Sequence, residues 1–271
     1  MQCLKPLLFI FLLTGTALGQ DEDRAKRMKE AVNAQREAIA KSLKGKIVSG
    51  SPSDLTLHDK PIYKYHEVAR GFHHATTWLW KTETGRPAFI LNLSGQGGLF
   101  YEFMSMTNDR FDCNVSGVNW TPRAEGWVPK EIPGAKPPGK SPAIRLVQMR
   151  AMARKFTAFQ MDHEKKNRER QLRMLPQPVY RFDKEDDAAL DGAVFAFVRD
   201  GDLEIILTIA AAKTKDEPPQ WVFDCDRVAI FAQSVKYDDK EVWSCNRTSF
   251  GSARDEYYVR VIQTPAPTLE D

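Results

Sequence analysis

The stretch "DGAVFAFVRDGDLEIILTIAA", residues 191–211, limits the possible folds more than any other part of the chain. Two apolar arms, 193–198 and 203–211, flank Asp200-Gly201. Asp-Gly is the pair that a two-residue hairpin turn with positive φ demands. Both arms are apolar on both faces, so they belong in the middle of a sheet covered on each side. A second hairpin is expected from "TTWLWKT" (76–82) and "PAFILNL" (87–93) around Glu83-Thr84-Gly85-Arg86, followed by a third strand over 98–106. The glycines of "NLSGQGGLF" sit between two strands. A phosphate loop hands over to a helix, so these glycines read as turn formers and not as a phosphate cradle.

The C-terminal part continues in strands: 178–183, "QWVFDCDRVAIFAQSV", "EVWSC" and 257–264. Between the two strand regions, Ser141-Pro142 gives an N-cap with proline at the first helical position. Met149, Met152, Phe156 and Phe159 recur at spacings of 3, 4 and 3, which predicts one long helix over 141–168 with Arg145, Arg150, Arg154 and Lys155 facing solvent. The fold expected is therefore α+β: an antiparallel β-sheet packed against one long helix, with an extra N-terminal helix. No internal repeat is read along the chain.

"MQCLKPLLFIFLLTGTALGQ" has a lysine, a short apolar run and small residues at Ala17 and Gly19. That is the pattern of a secretory signal peptide over 1–19, and the apolar run is too short to span a bilayer. The expected organisation continues with a charged helix over 20–47 ended by Gly45, a linker over 48–60, a single α+β domain over 61–265 and a tail over 266–271. The chain is expected to be exported, periplasmic or extracellular, with no membrane span after cleavage. Its formal charge is +3, and +2 without Lys5, so nothing favours nucleic acid as a partner. Cys225 and Cys245 lie in consecutive strand-like segments and are the expected disulfide, leaving Cys113 single.

Residues that carry chemistry are sparse. His66, His73 and His74 cluster near Glu67, but metal-binding spacing is absent, and no metal or cofactor is expected. Asp224 and Asp226 share a strand face, as a catalytic carboxyl pair or a cation site would require, although surface charge is the plainer reading. Trp78 and Trp80 also share a face. With Trp120 and Trp127, in the Pro- and Gly-rich segment 107–140, they are the candidate ligand-binding residues. Four Asn-x-Ser/Thr sequons begin at Asn92, Asn114, Asn119 and Asn246.

The succession "WLWKTETGRPAFILNL", "WTP…GWVPKEIPGAKPP", "RLVQMRAMARKFTAF", "LRMLPQPVYRF", "DGAVFAFVRDGDLEIILTIAA" and "WVFDCDR" resembles a family of uncharacterised exported bacterial proteins of the planctomycete type. The resemblance covers about two-thirds of the chain. It implies export and brings no activity with it. The functional expectation is a non-catalytic exported protein that binds a small ligand or a protein partner. The alternative is a hydrolase whose dispersed site draws on Asp224, Asp226, His73 and His74.

Overall fold

The computed structural model describes residues 14–50, 52–67, 72–95, 99–115, 118–122, 126–162, 168–186, 188–213, 218–248 and 258–263. The first half of the chain runs α1 (Thr14–Ser42), β1 (Lys44–Ile47), β2 (Ser53–Asp54), β3 (Thr56–Leu57), β4 (Tyr63–Glu67), β5 (Phe72–Lys81), β6 (Pro87–Ser94), β7 (Leu99–Ser105), β8 (Phe111–Val115) and β9 (Val118–Trp120). After β10 (Lys130–Glu131), the second half runs α2 (Pro142–Ala153), β11 (Phe156–Asp162), β12 (Arg168–Met174), β13 (Tyr180–Phe182), β14 (Ala189–Arg199), β15 (Asp202–Ala212), β16 (Gln220–Arg227), β17 (Gln233–Tyr237) and β18 (Lys240–Cys245). The last strand is β19 (Tyr258–Gln263).

The expected α+β architecture is not what forms. The chain is mostly β, in several antiparallel sheets, one of which makes a half-barrel. The long helix over 141–168 stops at Ala153, where the Lys155 amide closes onto the Met152 carbonyl at 3.0 Å. From Phe156 onward burial alternates residue by residue, which is a strand's period. Met149, Met152 and Phe156 do share one core. A helix end and a strand start supply them in turn, and Phe159 falls on the other face, under the Lys236 ammonium. Arg145 is buried rather than solvent-facing. Its Nε donates to Asp191 at 2.9 Å, and Arg181 reaches the same carboxylate at 2.9 Å, which ties α2 to β13 and β14.

The N-terminal helix also departs from expectation. It ends at Ser42, and Gly45 lies within β1 instead of capping it. Its last turns are docked, with Arg36, Ala40 and Leu43 buried. The expected linker 48–60 contributes β2 and β3 to the sheets. Residues 1–13 and 264–271, with most of the expected signal peptide and the tail, lie outside the described residues.

The two halves are copies of one unit, which the sequence reading missed. In the first, β3 and β4 both pair with β5, which continues through β6 to β7. In the second, β12 and β13 both pair with β14, which continues through β15 to β16. The registers coincide. Leu57 faces Trp80 as Met174 faces Phe197, and Tyr63 faces Thr77 as Tyr180 faces Val194. Trp78 faces Leu91 as Phe195 faces Leu207, and Asn92 faces Glu102 as Thr208 faces Asp224. "PIYKY" (61–65) and "PVYRF" (178–182) are the sequence trace of this duplication. The edge strands are exchanged: β10, which follows the first half, pairs with β16, and β19, which follows the second, pairs with β7.

Three cores follow from this plan. The small four-stranded sheet β2-β1-β8-β9, together with the end of α1, covers the outer face of the first sheet, and its Phe111 and Trp120 pack on Trp78, Trp80 and Phe89. α2 covers the outer face of the second over Phe195, Phe197, Leu207 and Phe223. The inner faces meet over Leu79, Ile90, Met104, Val194, Ala196 and Ile206, a core that belongs to both halves. Each half also grips the other's hairpin tip. The Tyr63 hydroxyl donates to the Gly201 carbonyl at 2.8 Å, and the Tyr180 hydroxyl donates to the Gly85 carbonyl at 2.7 Å. Both glycines hold positive φ, 107° and 91°, which the turns require.

Gly192 has no room for a side chain, because a Cβ there would lie 2.0 Å from the Phe182 ring. Gly192→Ala is expected to destabilise by about 1–3 kcal/mol through overpacking. Tyr180→Phe is expected to lose about 1 kcal/mol, the net worth of one hydrogen bond. Thermal unfolding checks both, at roughly 2–4 °C per kcal/mol for a chain of this size.

Candidate functional site

The inner faces carry an unusual number of polar groups, and the two halves treat them differently. In the first, the Thr77 hydroxyl donates to Asn92 Oδ1 at 3.0 Å. Asn92 Nδ2 donates to Glu102 at 2.8 Å and to the Tyr65 hydroxyl at 3.1 Å. Tyr65 in turn bonds Asp202, and its pKa is driven well up by burial and then by the Asp202 and Glu102 charges. The network is buried throughout and its groups are mutually satisfied, the condition under which such burial is tolerated.

In the second half the equivalent positions are Phe182 for Tyr65, Val194 for Thr77, Thr208 for Asn92 and Asp224 for Glu102. The smaller, less polar set does not rebuild the network. A cavity of about 50 Å³ is lined by Met106, Phe182, Ala189, Thr208, Ala210 and Ala212, together with Arg86, Pro87 and Trp127. Thr208 is 2% exposed, and its Oγ1 has no hydrogen-bond partner. A water needs about 10–15 Å³ measured in this way, so the volume corresponds to about three to five waters, the space of a small organic molecule.

Trp127 is half-buried. Its amide donates to Asn108 at 2.9 Å, and the next amide, Val128, donates to an Asp224 carboxylate oxygen at 2.7 Å. Of the four expected ligand-binding tryptophans, Trp127 alone lines this cavity. Trp78, Trp80 and Trp120 are at most 3% exposed and form the outer aromatic core, with Trp80 stacked on Phe89 at 4.5 Å, so they are no platform for a ligand.

Asp224 and Asp226 do share a face, but it is the inner one, and both are buried instead of being surface charge. Burial pushes the Asp224 carboxyl up to about 6, against the opposing pull of the Val128 and Cys225 amides. Burial, and then the Asp224 charge, pushes Asp226 well above the usual carboxylate range. Asp226 Oδ2 has no partner. Neither carboxyl lines the cavity. His66 and His74 lie ring to ring at 4.8 Å, and the His73 side chain lies outside the described residues. Among the described residues no cluster of His, Cys, Asp or Glu has the geometry to hold a metal ion.

The expected Cys225–Cys245 disulfide is absent, and both are free thiols, as is Cys113. Cys225 points into the outer core from β16, whereas Cys245 ends β18, which pairs with β17 and not with β16. Asn92, a candidate glycosylation site, is wholly buried in the network and closed to modification. A broader open groove of about 510 Å³ runs between the equivalent loops His58–Ile62 and Leu175–Val179, rimmed by Pro61, Pro176 and Pro178. No helix among the described residues is long and apolar enough to cross a membrane.

The class defined here is thus an internally duplicated, mostly β protein with one sealed polar network and one small cavity at equivalent places. No protein family, curated protein or solved structure matches the chain.

The carboxyl pair makes a pH prediction. Unfolded, both groups titrate near pH 4. Folded, Asp224 titrates near 6 and Asp226 above the usual range. Because the folded values are raised, the pair's contribution to stability is full below about pH 4 and is lost as pH climbs through 6. Asp226→Asn is therefore expected to stabilise at pH 7.5, on the order of 1–3 kcal/mol. It should change little at pH 4.5, as read by denaturant unfolding at the two pH values.

Proposed function

We propose that the chain is a non-catalytic, exported protein that binds a small, partly apolar ligand in the cavity lined by Trp127. The observation that carries this reading is the Thr208 hydroxyl, buried and unpartnered on the wall of a mostly apolar cavity. An unmet buried hydroxyl costs about 1–3 kcal/mol, and a ligand atom bonded to it removes that cost. An apolar lining with a few placed polar groups is the usual composition of small-molecule sites. The planctomycete-type resemblance and the signal-like N-terminus support export. A hydrolase built on Asp224 and Asp226 is less well supported, because the pair does not open onto the cavity.

The test is thermal denaturation in the presence of small neutral probes, 1-propanol, 1-butanol and isobutanol, against Ala210→Leu, which fills the cavity. A probe at about 100 times its dissociation constant adds about 2.7 kcal/mol, a shift of roughly 5–10 °C. Wild type is expected to shift beyond the general effect of the alcohol on the filled variant. Equal responses from the two, with Ala210→Leu shown folded by circular dichroism, would refute the reading.

A further inference from the structure

The cavity wall carries a second polar group besides Thr208. Arg86 lines it, with a side chain about one-third exposed. The nearest carboxylate, Asp186, comes no closer than 3.8 Å, and to Nε only. That is beyond hydrogen-bond reach. The Asp186 oxygens are already engaged, accepting from the Thr84 hydroxyl at 3.0 Å and from the Ala188 and Ala189 amides at 2.9 and 2.8 Å. Among the described residues the Arg86 guanidinium makes no hydrogen bond of its own. Its planar fork suits a carboxylate bound through two oxygens.

Both groups address one small space. Arg86 and Thr208 both line this cavity of about 50 Å³, so one small molecule within it lies against both residues. The remaining wall, Met106, Phe182, Ala210 and Ala212, is apolar and takes a short hydrocarbon chain. Three complementary features follow: an anionic fork, an oxygen partway along the chain and a small apolar end.

We propose that the site binds a short-chain hydroxy- or oxo-carboxylate, its carboxylate on Arg86, its chain oxygen on Thr208 and its alkyl end against the apolar wall. This rests on the cavity being a ligand site, and it names the chemical class that the site takes. Thr208 serves either partner, since a hydroxyl both donates and accepts.

The experiment titrates 3-hydroxybutyrate, acetoacetate, butyrate and 1-butanol into the full-length protein by calorimetry. Wild type, Arg86→Gln, Thr208→Val and Ala210→Leu are compared. Wild type is expected to bind the two oxygenated acids at least tenfold more tightly than butyrate, and butyrate more tightly than 1-butanol. Arg86→Gln is expected to bring the acids down to the level of the alcohol without changing the alcohol itself. Thr208→Val, close in shape, is expected to abolish the preference for 3-hydroxybutyrate and acetoacetate over butyrate. Butanol binding that Ala210→Leu removes, together with acids that bind no better or that ignore Arg86→Gln, would overturn the carboxylate class and leave the cavity reading standing. No binding of any probe by wild type would overturn both.

Discussion

Tyr63 and Tyr180 each extend a hydroxyl across the molecule to the hairpin glycine of the other half, and the remaining architecture turns on that exchange. The two bonds are equivalent in register and reciprocal in direction, as contacts across an isologous dimer interface would be. Each hairpin tip is a positive-φ turn whose carbonyl is bonded by the opposite half, so each sheet pins the tip of the other. The exchange of β10 and β19 adds to this mutual dependence, because each half's edge is closed by the strand that follows its partner. Long β-pairings between distant segments fold slowly, and linking the two halves in one chain lowers the closure cost that separate chains would meet.

A core shared by two copies creates a problem of its own. Inner-face residues at matching positions meet near one another, so any polar group there must find its partner across the interface or within its own sheet. The first half answers with Tyr65, Thr77, Asn92 and Glu102, joined to Asp202 of the second. The second half has neither the tyrosine nor the asparagine. Phe182 and Thr208 stand in their places and leave space, an unmet hydroxyl and a carboxyl pair with raised pKa values. The same backbone thus holds one satisfied solution and one unsatisfied one. Departures from local consistency of that kind are expected where function is carried.

The central hairpin is legible in sequence, whereas the mostly β fold class and the duplication are not, for physical reasons. Asp200-Gly201 between two doubly apolar arms fixed the central hairpin, because turn chemistry and strand period are local. The 3-4-3 spacing of Met149, Met152, Phe156 and Phe159 misled, because three of those four residues do meet in one core, and periodicity cannot tell a continuous helix from a helix that hands over to a strand. Asp224 and Asp226 were placed on one face by parity alone, yet parity does not say which face is covered. Their burial comes from a second sheet more than a hundred residues away. The duplication left only "PIYKY" and "PVYRF" as an audible trace, since register survives while side chains diverge. Arg86 carried no signal, because an arginine after a turn glycine reads as surface.

The two exchanged strands are of unequal length. β19 pairs six residues with β7, whereas β10 pairs only two with β16. The segment preceding β10 is thereby left off the ladder, and Trp127 lies in it. What holds that segment is Asn108 on the Trp127 amide and Asp224 on the Val128 amide, two side-chain acceptors instead of a run of backbone bonds. One of the two acceptors is the carboxyl whose pKa is held near 6, and its negative form is the stronger acceptor for the Val128 amide. The ionisation that weakens the inner core therefore strengthens the bond to the Val128 amide, which offsets part of the cost of burying Asp224.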